Sequence, residues 1–148
     1  MGILSIAVIL FAVLEILNVI MLYFTPGTRR GNGVGVFNAF EKSKADPEVH
    51  ALVKYLINWV AGTKLIFITL LIVILFTGSA ATKIFSVGAL ILSILTFFYR
   101  LYPAIRQMDK ADQITPKGYS KTLGLMIAGF ICIFALALVL YLTLFHQF

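Results

Sequence analysis

Charge is scarce in this 148-residue chain: only 12% of residues are Asp, Glu, Lys or Arg, against 61% apolar side chains and a mean hydropathy of +1.01. A soluble domain needs a charged exterior, so this shortage excludes the ordinary soluble globular class. Cysteine is almost missing as well. Cys132 is the only one, which excludes an intrachain disulfide, a CxxC redox pair and a cysteine-based zinc site. No Gly-x-Ser-x-Gly, HExxH or phosphate-binding glycine loop occurs, which argues against hydrolase and ATPase chemistry. The chain also lacks a basic stretch before its first apolar run and a small-x-small cleavage site after it. That run therefore reads as a retained helix and not as a cleaved signal peptide. Ile6 stands where myristoylation wants a hydroxyl.

What the chain does have is four long apolar runs, at 3–24, 52–76, 84–102 and 122–145. Each reaches about the 20 residues that cross a ~30 Å hydrocarbon core as a helix. Barrel strands would be half as long and alternating in polarity. The expectation is an all-α polytopic membrane protein, an antiparallel four-helix transmembrane bundle forming one domain over 1–148. Its helices are expected near 3–24, 47–76, 83–103 and 120–146, joined by loops at 25–46 and 104–119.

Local signals sharpen parts of this plan. Pro26-Gly27 ends the first helix. Asp46-Pro47-Glu48 starts the second, with Asp46 as cap, Pro47 at the first helical position and Glu48 at the positive end of the dipole. Thr77–Thr82 is short enough to make the second and third helices a hairpin, and at Tyr102-Pro103 the third helix is expected to be kinked or extended. Gly31–Gly35 reads as a flexible stretch. The Val36, Phe37, Phe40, Glu41, Lys42 pattern fits either a short amphipathic turn on the membrane surface or an ordered loop tucked under the bundle.

Sidedness follows from counting. The two long connections carry four basic residues each (Arg29, Arg30, Lys42, Lys44; Arg106, Lys110, Lys117, Lys121), while the connector on the opposite side has only Lys83. The positive-inside rule places both long loops in the cytoplasm and both termini outside. It also accounts for the net charge of +6 without nucleic acid, because the basic residues flank helices and form no separate module. Tyr23, Tyr55, Trp59, Tyr99, Tyr102 and Tyr119 fall near the same interface as an aromatic belt. His50 and His146 fall on opposite sides, so they cannot share a metal or a catalytic dyad within one chain, and no metal site or cofactor is expected.

Two ionisable residues lie where the membrane makes them costly. Glu15 sits roughly 13 Å, and Lys64 roughly 9 Å, from the cytoplasmic boundary at about 1.5 Å rise per residue. An unpartnered charge at such depth costs ~2.5 kcal/mol or more. Their comparable depth on antiparallel neighbours predicts an intramembrane Glu15–Lys64 contact. Asn18, one turn from Glu15, together with Asn58 and Lys54, would extend it into a polar seam open to the cytoplasm. Such a pair serves either an ion, proton or substrate path, or only helix register with Lys64 partly snorkelling. Ser86, Ala89, Ser93 and Thr96, like Gly124, Ala128, Cys132 and Ala135, mark small-residue packing faces. Arg100, Arg29 and Arg30 are candidates for anionic head-group or cofactor binding. These features point to a small transport or channel component, or to an accessory subunit of a larger or homo-oligomeric membrane complex bound to anionic lipid.

The helix-2 entry, Asp46-Pro47-Glu48-Val49 followed by Lys54 and Asn58, resembles that of the MAPEG family of glutathione-dependent and eicosanoid enzymes. Chain length, four helices and a basic loop before the second helix resemble it too. The resemblance implies a trimer, with glutathione held between subunits near Lys54, Asn58 and Arg100, acting on a lipophilic substrate. Lys54 stands where that family has an arginine, and Trp59-Val60-Ala61 stands where it has an acidic residue.

Overall fold

The computed structural model describes residues 2–145. Among them run α1 (Ile3–Phe24), a 3-10 turn (Val34–Val36), α2 (Asn38–Ser43), α3 (Pro47–Thr77), α4 (Ala80–Lys110) and α5 (Tyr119–Phe145). All but α2 of these α-helices are long and apolar enough to cross a membrane, so the chain is an all-α bundle.

The helix starts follow the local chemistry. The Asp46 carboxylate accepts from the amides of Glu48 and Val49 at 3.0 and 3.2 Å, with Pro47 at the first helical position. Those are two of the orphan N–H groups that every helix start must satisfy. Ser79 caps α4 by accepting from the Thr82 amide at 3.2 Å. Only Gly78 and Ser79 separate α3 from α4.

That short link does not make α3 and α4 close partners. α1 takes the centre, lying along α3 on one side and α5 on the other, while α4 packs on α5 and touches α3 little. At the end near the α3–α4 link all four long helices meet. Leu4, Ala7, Val8 and Phe11 of α1 pack with Leu71, Val87, Leu90, Phe134 and Ala137. Phe11 meets Phe134 edge-on at 5.3 Å between ring centroids. Lipid tails are as apolar as these side chains, so such close packing, and not hydrophobic transfer, holds the helices together in a bilayer.

Toward the other end the core divides. Ala12, Val19 and Leu22 of α1 pack on Ile57, Ala61 and Ile68 of α3, with Phe40 beneath. Val36, Ile105, Ile114, Tyr119 and Leu123 form a separate cluster around the start of α5.

Two expectations need correction here. α4 does not stop near residue 103 but continues through Pro103 to Lys110, so its loop shrinks to 111–118. Proline removes one ladder hydrogen bond, yet Ile105 and Asp109 beyond it are both buried and hold the helix in place. The glycine stretch is a compact turn: a Cβ on Gly35 would lie 1.9 Å from the Gly27 carbonyl oxygen, and one on Gly33 2.3 Å from that of Thr28. The segment from Val36 to Lys42 runs through the end of the 3-10 turn into the short helix α2, with Val36 and Phe40 turned inward and buried. α4 also begins three residues earlier than expected, at Ala80 instead of 83. The bounds of α1 and α3 and the start of α5 fall within a residue of those expected, a normal fraying margin. The expected end at 146 lies outside the described residues.

The two loops are also joined. Phe37 and Ile114 form a single antiparallel bridge, with the Asn38 amide donating to the Gln113 carbonyl at 2.9 Å and the Thr115 amide to that of Val36 at 2.8 Å. Tyr119 donates its hydroxyl to the Gly31 carbonyl at 3.0 Å.

Candidate functional site

Glu15 and Asn18 stand three residues apart on α1 and so share a face. Lys64 lies on the stripe of α3 that also carries Ala61 and Ile68, both packed toward α1. The small side chains of Ala12 and Ala61 let these helices come close. Lys64 Nζ then reaches Glu15 Oε2 at 2.6 Å and Asn18 Oδ1 at 2.7 Å. This is the contact expected from comparable depth on antiparallel neighbours.

The pair is partly sheltered, with side chains 25% (Lys64) and 20% (Glu15) exposed. Asn18 is buried, and its amide nitrogen donates onward to the Asn32 carbonyl at 3.4 Å. A polar string therefore runs from the middle of α1 to the long loop. Charges that each cost ~2.5–3.5 kcal/mol alone at a helix centre become tolerable when paired and hydrogen-bonded. Chemically, the string offers one carboxylate whose partner amine has a second acceptor.

Lys54 and Asn58 do not join this string. Both are exposed on α3, and Asn58 has no hydrogen bond among the described residues. On a helix of 3.6 residues per turn, position 58 points about 100° away from the Ile57 direction that faces α1. Arg100 is also exposed and stacks over the Tyr99 ring at 5.3 Å. Arg29 and Arg30 are exposed in the first loop, where Arg29 lines a recess with Lys117 and Tyr119. Arg100, on α4, thus lies on a different element from Arg29 and Arg30 in the first loop. The aromatic belt splits too: Tyr23, Tyr55, Trp59 and Tyr99 are exposed, but Tyr119 is buried beneath the first loop.

The two small-residue faces behave differently. Gly124 is buried against Tyr102, whereas Cys132 is exposed. Ser86, Ala89 and Ser93 line a groove of about 240 Å³ facing Phe67, Leu70 and Ile74 across the α3–α4 gap. His50 bonds Ser43 Oγ through Nδ1 at 2.9 Å and so ties α2 to α3; His146 lies outside the described residues. Among the described residues no group of His, Cys, Asp or Glu could hold a metal ion.

Sequence reasoning missed the role of Asp109. Its Oδ1 accepts from the Gly118 amide at 2.9 Å, and its Oδ2 from the Ser120 amide and hydroxyl at 3.0 and 2.6 Å. It is an N-terminal cap supplied to α5 by the preceding helix. Rules that look for the cap next to the helix start in sequence cannot find a carboxylate 9 residues before Gly118. The only trace is that Asp109 and Asp112 stand amid a basic segment.

Comparison with protein-family models, curated proteins and solved structures gives no significant match to this chain.

Proposed function

We propose that the chain is a multi-pass membrane protein that serves as a small transport or channel component, with Glu15 as its charge-handling group and Lys64 as its internal counter-ion. The observation that carries this reading is the Lys64 ammonium held between Glu15 and Asn18 inside an otherwise apolar bundle. Ionisable residues are rare within membrane helices and mark ion or proton paths when they face the bundle interior. The onward bond from Asn18 to Asn32 supplies polar access from the loop end. The eight basic residues of the two long loops, against Lys83 at the other end, support a cytoplasmic loop end and outward termini.

A second reading, an accessory subunit in which the pair only sets helix register, is favoured by the two hydrogen bonds that satisfy Lys64. One substitution separates the two. In proteoliposomes, Glu15→Gln should abolish proton or monovalent-cation flux while the protein still melts as a folded bundle. Unchanged flux, or loss of the fold, would discard the transport reading in favour of the structural one.

A further inference from the structure

The loop end of α4 and α5 holds a basic pocket that the Glu15–Lys64 pair does not use. Arg106 and Lys110 stand one turn apart on α4, and Lys117 and Lys121 flank the start of α5. With Tyr102 and Ser120 they line a cavity of about 380 Å³. Asp109 is in the wall, but both its oxygens are committed to Gly118 and Ser120. Lys117 is paired with Asp112 at 2.8 Å, and that hydrogen bond holds its ammonium above the ordinary lysine range. Among the described residues Arg106, Lys110 and Lys121 have no ion-pair partner. Setting these two carboxylates against the four cations leaves two positive charges around one concavity.

We infer that this pocket binds the phosphomonoester headgroup of an anionic lipid. A phosphomonoester carries close to two negative charges near neutral pH, which matches the excess. It also suits the planar fork of an arginine beside mobile lysines. The walls then continue as an apolar track. Tyr102 lies one turn before Arg106 and packs at a tilt against Phe98, ring centroids 5.5 Å apart, and Leu125, one turn beyond Lys121, is 75% exposed. A headgroup among the cations would leave its acyl chains along those side chains. Only the lipid source of the phosphate rests on the cytoplasmic placement proposed above; the pocket's phosphate chemistry does not.

The test is native mass spectrometry of the full chain in detergent with phosphatidic acid, phosphatidylglycerol or phosphatidylcholine added, and with glycerol 3-phosphate as soluble competitor. Phosphatidic acid should be retained in preference to the other two lipids. The Arg106→Gln/Lys121→Gln double variant should weaken that retention by about tenfold or more, since each such cation near a surface is worth ~1 kcal/mol. Both side chains are exposed, so the variant should melt as the parent does. Displacement by glycerol 3-phosphate at comparable affinity would keep the phosphate site and assign it a soluble ligand. Equal retention of phosphatidylglycerol, or retention untouched by the double variant, would overturn the inference. Glu15→Gln should leave lipid retention unchanged, so failure here and failure of the transport reading show up in different experiments.

Discussion

The ring of Tyr102 lies against Gly124 so closely that a Cβ on the glycine would come within 2.7 Å of Tyr102 Cε2. α4 and α5 therefore meet through an aromatic ring seated on bare backbone. Overpacking such a contact costs ~1–3 kcal/mol. Gly124→Val should lower the thermal midpoint in detergent, and Tyr102→Leu placed in the same chain should recover part of the loss. A Gly124→Val protein as stable as the parent would mean that the two helices separate there at little cost.

Asp109 secures the same helix pair from the loop end. Replacing it with alanine removes a charged acceptor of three hydrogen bonds and strands the amides of Gly118 and Ser120. Hydrogen bonds to charged groups are worth ~1.5–3 kcal/mol. Asp109→Ala should therefore destabilise the protein by about that much in thermal unfolding, with early hydrogen exchange at the start of α5. Asp109→Asn should cost less, because an amide oxygen still accepts one of the bonds.

For the charged pair, removing one partner should hurt more than removing both. Lys64→Met leaves Glu15 without a counter-charge and should cost ~2 kcal/mol, below the ~3–5 kcal/mol of a fully buried pair because both side chains are partly exposed. Glu15→Leu/Lys64→Met should return most of that stability. A double variant as unstable as Lys64→Met would show that the cost lies in helix packing and not in unpaired charge.

Sidedness can be read chemically because there is one native cysteine. In a Cys132→Ala background, Lys44→Cys should react with a membrane-impermeant maleimide only after cells are opened, and Lys83→Cys should react in intact cells. The reverse pattern would invert the proposed orientation.

The glutathione-dependent reading makes its own demand. It requires saturable glutathione binding that Asn58→Ala and Arg100→Ala both weaken, in a preparation that runs as a trimer. For the transport component proposed here, calorimetric titration should show no such binding.

The four helices were legible because membrane thickness writes itself into run length, and the Asp46 cap because its partners are the next two amides. The Glu15–Lys64 contact was legible for a related reason: equal depth on antiparallel neighbours leaves two costly charges few other partners. The course of α4 past Pro103 was not legible, since what sustains it is the burial of Ile105 and the reach of Asp109 to another helix. Residue type alone suggests that Asn58 belongs to the polar seam, while its angular position on α3 takes it out. The α3–α4 groove also ran against expectation, since a two-residue link fixes chain proximity without fixing which faces pack.

The central place of α1 has a consequence for how the chain is made. Its main partners, α3 and α5, emerge from the ribosome after it, and Lys64 follows Glu15 by 49 residues. In that interval Glu15 has no counter-ion of its own, and a lone carboxylate in hydrocarbon is disfavoured. In the transport reading proposed here, α1 and α3 are therefore expected to settle in the bilayer together. Birth order and wiring order thus run opposite along this stretch: the helix made before its partners is the one they pack around.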